Sequence, residues 1–156
     1  MAWAEREPAE RELLLWRHGI AEDHHPDLPD QERALTDEGR QRTAAVAAEL
    51  CRLQLQCDCL LSSPLRRALQ TAEIGVEAGL APELVVEDRL VPGGDPRPLL
   101  QAGSWRRLCL VGHEPGLGEL ASSLLGVPAG TISVRKAGIV LLLLATTGAS
   151  LEALIG

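Results

Sequence analysis

Leu13-Leu14-Leu15-Trp16 is apolar at every position rather than at every second one, and it stops abruptly at Arg17-His18-Gly19. A strand with no polar face has to be covered on both sides, which places it in a parallel sheet between helices. The pattern returns twice. Cys59-Leu60-Leu61-Ser62 runs into Ser63-Pro64, and Leu108-Cys109-Leu110-Val111 runs into Gly112-His113. Strands of this kind alternate with helical stretches, so the chain reads as α/β with a parallel-dominated sheet.

The helical stretches carry their own start signals. Thr36 is a natural N-cap, Asp37 and Glu38 suit the positive end of the dipole, and Val46, Leu50 and Leu53 predict one face of a helix ending near Leu53. Ser63 as N-cap with Pro64 at the first helical position predicts a second helix, with Leu65, Leu69, Ala72 and Val76 as its apolar stripe. Further on come a short strand at Leu84–Val86, a short helix at Pro96–Ala102 and a helix at Leu117–Leu125. Strands are expected at Ile132–Val134 and Ile139–Leu144, with an edge strand at Ser150–Leu154. Ile20 to Arg33, with Pro26, Pro29, four acids besides Glu32 and the pair His24-His25, reads as an irregular loop.

The 156 residues fit one domain, 1–156, with 1–12 as a charged leader. With no Phe or Tyr, the core must be built from Leu, Val, Ile and Ala around three Trp. Missing aromatic platforms and a net charge of -7 argue against a nucleic-acid partner. No stretch has the layout of a signal peptide, and the run Ala137 to Ala145 is too short to span a bilayer; a cytoplasmic location and no membrane partner are expected. Cys51, Cys57, Cys59 and Cys109 match no zinc or redox spacing and read as buried free thiols.

Strand ends in such a sheet form its ligand crevice. Arg17 and His18, Arg66 or Arg67, and His113 should therefore meet at one edge. Two imidazoles and two guanidiniums suit a tetrahedral dianion, because arginine binds phosphate oxygens bidentately at any working pH. Two arginines in a helix's first turn oppose the dipole preference, and an anion held there explains them. One neutral histidine can attack phosphorus while the other donates to its oxygens.

Arg17-His18-Gly19, Leu35-Thr36-Asp37-Glu38-Gly39, Ser63-Pro64-Leu65-Arg66-Arg67-Ala68 with Gln70-Thr71-Ala72, and Gly112-His113 resemble, in this order, the motifs of the histidine phosphatase (phosphoglycerate-mutase-like) superfamily. The short chain and Leu90-Val91-Pro92-Gly93-Gly94-Asp95 look most like its SixA-type phosphohistidine phosphatases. The resemblance implies a three-layer α/β/α sandwich with a mostly parallel sheet. It implies His18 as phosphate-accepting nucleophile, Arg17 and Arg67 as phosphate-binding arginines, and His113 as the second histidine. It implies no metal, no cofactor, and inorganic phosphate as product.

Larger ester-cleaving relatives resemble one another in carrying a glutamate general acid shortly after the third strand. Here Leu90-Val91 is followed by Pro92, and only Asp88 or Asp95 remains as a displaced acid. An alkoxide needs a proton as it leaves, whereas imidazole is a better leaving group. The expected substrate is thus phosphohistidine on a phosphotransfer or signalling protein. The alternatives are a phosphomonoesterase acting on a small phosphorylated metabolite and a non-catalytic phosphate-binding module.

Overall fold

The computed structural model describes residues 10–156. In chain order its strands are β1 (Arg11–Arg17), β2 (Cys59–Ser62), β3 (Val85–Val86), β4 (Arg107–Gly112), β5 (Ile139–Ala145) and β6 (Gly148–Ile155). They form one sheet in the order β3-β2-β4-β1-β5-β6. β1 sits inside it, parallel to β4 on one side and antiparallel to β5 on the other. β2 is parallel to both β4 and β3, and β6 is antiparallel to β5, so β5 alone runs against the rest.

The uniformly apolar run behaves as its pattern requires. Leu13, Leu14, Leu15 and Trp16 are fully buried, alternating between two cores. Leu14 and Trp16 pack with Ala47 and Leu50 of helix α1 (Asp37–Arg52) and with Ala68 and Ala72 of α2 (Arg66–Glu77). Leu13 and Leu15 pack on the opposite face with Leu117, Leu120 and Ala121 of α3 (Gly116–Leu125) and with Leu90 and Leu99 from two 3-10 turns. The architecture is a three-layer α/β/α sandwich with a mostly parallel sheet. Cys57 and Cys109 are buried, Cys51 and Cys59 are half-buried, and all four are free thiols.

Several local expectations need correction. Of the leader, residues 1–9 lie outside the described residues, while Arg11 and Glu12 already belong to β1, where buried Glu12 pairs with Arg107 at 3.1 Å. α1 is capped as expected, Thr36 Oγ1 accepting from Gly39 N at 3.0 Å, but its buried residues are Gly39, Thr43, Ala47 and Leu50, and Leu53 at its end is exposed. α2 begins two residues later than predicted: Leu65 is still extended, and Ser63 Oγ instead accepts from Leu65 N at 3.2 Å. Its buried stripe is Arg67, Ala68, Thr71, Ala72 and Gly75, rotated from the predicted one because α2 presents an arginine and a threonine inward.

Ile132–Val134 is not a strand. Its backbone is satisfied without a sheet: Ile132 N donates to Ser122 Oγ and Val134 N to Glu114 Oε2, each at 3.2 Å, and Val134 O accepts from Arg17 Nη1 at 3.1 Å. A segment whose backbone polar groups find side-chain partners has no need of a neighbouring strand. No described helix is long and apolar enough to cross a membrane.

Candidate active site

His18 follows β1 directly and His113 follows β4. Because those strands are parallel neighbours with Arg17 opposite Gly112, the two histidines leave the sheet side by side. His18 N donates to Gly112 O at 3.1 Å, and the ring centroids stand 5.2 Å apart at 54°. A cavity of about 430 Å³ opens over them. Arg17, Arg33, Arg67 and Lys136 line it with the two histidines, as do Glu22, Asp23, His24, Asp30, Pro92 and Glu114.

The hydrogen bonds assign the proton on the His18 ring. His18 Nδ1 lies 2.7 Å from Gly19 O, and a carbonyl only accepts, so Nδ1 carries the hydrogen and Nε2 keeps its lone pair. Arg67 Nε donates toward that Nε2 at 3.4 Å. His113 Nε2 lies 2.7 Å from Ser63 Oγ. That hydroxyl accepts from Leu65 N and still has a hydrogen and a second lone pair, so it can either donate to His113 or accept from it. His113 Nδ1 is buried with no partner among the described residues, and it carries the ring's proton when Ser63 is the donor. Arg17 Nε is likewise buried and unpartnered. Buried donors without partners are costly, and an oxyanion over the histidines satisfies both.

Burial, with the charges of Arg67, Arg17 and Arg33, pushes the His18 imidazole down to about 4 against the opposing Gly19 hydrogen bond. Burial, His18 and the guanidiniums of Arg67 and Arg17 push His113 down to about 3, against the opposing charge of Asp30. Both rings are therefore neutral at neutral pH, which leaves the His18 lone pair available. The same shifts set a pH dependence of stability. Between the ordinary imidazole value of 6.5 and their folded values, the unfolded chain binds more protons than the folded one. Stability is therefore retained above pH 6.5 and lost as pH falls through that window. Melting curves taken between pH 7 and 4.5, before most carboxylates titrate, should show Tm falling steadily, by an amount equivalent to roughly 5 kcal/mol, about 2.5 for each imidazole. A flat Tm over that range overturns the burial of neutral imidazoles.

The surrounding motif residues brace this geometry. Gly19 N donates to Thr71 Oγ1 at 3.1 Å, and Thr71 Oγ1 donates to Arg67 O at 2.8 Å. Leu35 N donates to Gln70 Oε1 at 2.7 Å, tying the loop before α1 to α2. Gly19 and Gly39 lie where that loop crosses α1: a Cβ on Gly19 would strike Thr43 Oγ1, and one on Gly39 would strike the Ile20 carbonyl.

Arg17, His18, Arg67 and His113 thus meet in one cavity, and Arg67 rather than Arg66 is the inward one: Arg67 is buried and Arg66 exposed. Asp88 and Asp95 are not brought there. Both are exposed and neither lines the cavity, and Asp95 Oδ1 accepts from the amide and Nε of Arg97. Arg33 and Asp30 were missed by the sequence reading. The available signal was that Arg33 is the lone Lys or Arg in the acidic stretch from Ile20 to Ala34. No cluster of three or more His, Cys, Asp or Glu suited to a metal ion occurs among the described residues.

The cavity's own carboxyls are mostly engaged. Glu114 accepts from Gly118 N at 2.6 Å and from Val134 N, Glu22 accepts from Ala34 N at 2.8 Å, and Arg33 and Arg67 hold Asp30 below the usual carboxylate range despite its partial desolvation. Pro92 itself forms part of the wall.

Residues 13–91 match the histidine phosphatase superfamily (branch 1). An uncharacterized protein of Picosynechococcus sp. is 40% identical over 136 residues, spanning 83% of this chain and 82% of that one. Among solved structures, the protein histidine phosphatase SixA complexed with tungstate superposes with a TM-score of 0.82 at 23% identity, over 93% of this chain and 96% of that one. SixA from Agrobacterium tumefaciens also gives 0.82, at 21% identity over 94% and 98%. The alpha-ribazole phosphatase from Shigella flexneri gives 0.74 at 16% identity over 93% and 96%, so the same fold spans more than one named activity. With its family motifs in order and its two histidines side by side at the end of parallel strands, this chain belongs to the histidine phosphatase superfamily, branch 1.

Proposed function

We propose that the protein is a phosphohistidine phosphatase that works through a phosphorylated His18. The observation that carries the substrate choice is the wall of the cavity: Pro92 stands in it, Glu22 and Glu114 accept backbone N–H bonds, and Asp30 is held ionised. Glu114 has both oxygens committed to backbone N–H groups and Asp30 has both held by guanidiniums, so neither is free to protonate an alkoxide.

In the first step His18 Nε2 attacks phosphorus, forming its bond as the bond from phosphorus to the substrate's imidazole nitrogen breaks. That nitrogen takes the electron pair. A substrate ring protonated on its other nitrogen leaves as neutral imidazole with no acid from the enzyme. Arg17, Arg67 and His113 Nδ1–H stabilise the charge on the equatorial oxygens. In the second step water attacks the phosphoryl group on His18, releasing inorganic phosphate and restoring the Nε2 lone pair. Exposed Glu22, Asp23 and His24 at the rim leave the cavity accessible to a histidine on another protein's surface.

The test compares kcat/KM on a phosphohistidine protein with kcat/KM on alkyl phosphate esters. A missing general acid is worth roughly 10²–10⁴ in rate, so phosphohistidine should lead by at least about 10². Asp23 is exposed and lines the cavity, which favours a second reading. If esters are turned over better and Asp23→Asn removes that advantage, the protein is a phosphomonoesterase of small metabolites.

A further inference from the structure

Asp30 occupies an unusual place for an acid in a phosphate cavity. Its Oδ1 accepts from Arg33 Nε at 2.9 Å, its Oδ2 from Arg67 Nη2 at 3.2 Å, and its backbone oxygen from Arg67 Nη1 at 2.8 Å. His24 Nδ1 lies 3.6 Å from Oδ1. The carboxylate thus bridges two cations, and main chain and side chain together grip two nitrogens of the Arg67 guanidinium. The third, Nε, is left aimed at His18 Nε2. Arg67 is only 4% exposed, whereas the Asp30 side chain is 46% exposed in a 3-10 turn of the loop.

Three guanidiniums act on His18, those of Arg67, Arg17 and Arg33. Such a cluster repels itself, and a buried guanidinium without a fixed partner has several ways to lie. A carboxylate bridging two of the three relieves the repulsion and fixes the plane of Arg67. The same charge also faces any dianion that enters. A substrate brings further contacts of its own, but inorganic phosphate has only the cavity's cations and hydrogen-bond donors to hold it. The opposing charge therefore bears most heavily on the product.

We propose that Asp30 is a built-in counter-anion of the phosphate cavity: it positions Arg67 and Arg33 toward His18 and weakens the hold on inorganic phosphate so that product leaves. Asp30 acts through Arg67 and is a positioning residue. This rests on the reading that the cavity receives a phosphoryl group.

The experiment titrates orthophosphate and tungstate into the full chain by calorimetry, wild type against Asp30→Asn. Asparagine keeps an oxygen for one guanidinium and removes the charge. Asp30→Asn should bind both oxyanions about tenfold tighter, the effect of one charge at a half-open site, and the gap should shrink in high salt. Turnover should show KM and kcat falling together as phosphate release slows. If holding Arg67 were its whole role, affinity would move the other way, because a loosened Arg67 binds less well. If the wild type binds and Asp30→Asn binds equally or more weakly, the counter-anion role of Asp30 is overturned while the cavity reading stands. If neither binds, the cavity reading is overturned, and Asp30's role with it.

Discussion

Replacing His18 by alanine should abolish transfer of phosphate to the protein and lower turnover by about 10³-fold or more, the scale on which losing a covalent nucleophile is felt. After exposure to a phosphohistidine donor, the wild type should carry acid-labile, base-stable phosphate and His18→Ala none. The prediction rests on three observations about one ring. Nδ1 is committed to Gly19 O, Nε2 keeps its lone pair, and burial with three nearby guanidiniums holds the imidazole neutral. Because His18 is buried, the comparison needs a melting curve alongside it, and His18→Asn supplies a variant with less lost volume. Turnover within tenfold of wild type in a folded variant assigns the nucleophile elsewhere.

Arg67→Ala should cost about 10²–10³ in kcat/KM, the range for removing a charged donor aimed at the transition state. Arg67→Lys should recover only part of this. An ammonium keeps the charge but not the fork that reaches His18 with one nitrogen and Asp30 with two. The neighbouring Arg66 is the internal control. It is exposed and outside the cavity, and Arg66→Ala should keep activity within twofold. Equal losses at the two positions would show that helix α2, rather than one guanidinium, is what both substitutions disturb. Arg67→Ala also strands half of the Asp30 carboxylate, so some loss of stability should accompany the loss of rate.

What the chain disclosed beforehand follows from how directly each residue is tied to a strand. His18 and His113 were legible because β1 and β4 are uniformly apolar and end at them, so their position at a sheet edge follows from pattern alone. A cation in a helix's first turn is out of place unless something negative is near, which pointed to Arg66 and Arg67 together; only the family resemblance singled out Arg67. Arg33 and Asp30 lie in an irregular stretch, where no period says which side chain faces inward. The two misread elements have one cause. Ser63 has the look of an N-cap, and Ile132–Val134 the look of a strand, yet in both places the polar groups serve the site: Ser63 holds His113, and Val134 holds Arg17 and Glu114. Local propensity was overridden by long-range hydrogen bonds that no window of sequence contains. Asp88 and Asp95, the displaced-acid candidates, are exposed and lie outside the cavity, and nothing in their local sequence says so.

The place of β4 between β1 and β2 has a consequence for how the molecule comes into being. The first two strands never touch each other; each waits for a partner synthesised later, roughly 90 residues after β1 in the one case. Until that partner arrives β1 and β2 have no strand between them, and each keeps an open backbone edge on that side, the kind of surface that invites association with other chains. The arrival of β4 shuts the two edges that face it and brings His113 to His18 in the same event, while the other edge of β1 closes only with β5. Filling the gap in the sheet and pairing the two histidines are therefore the same event, and a chain halted before it would be both sticky and inert.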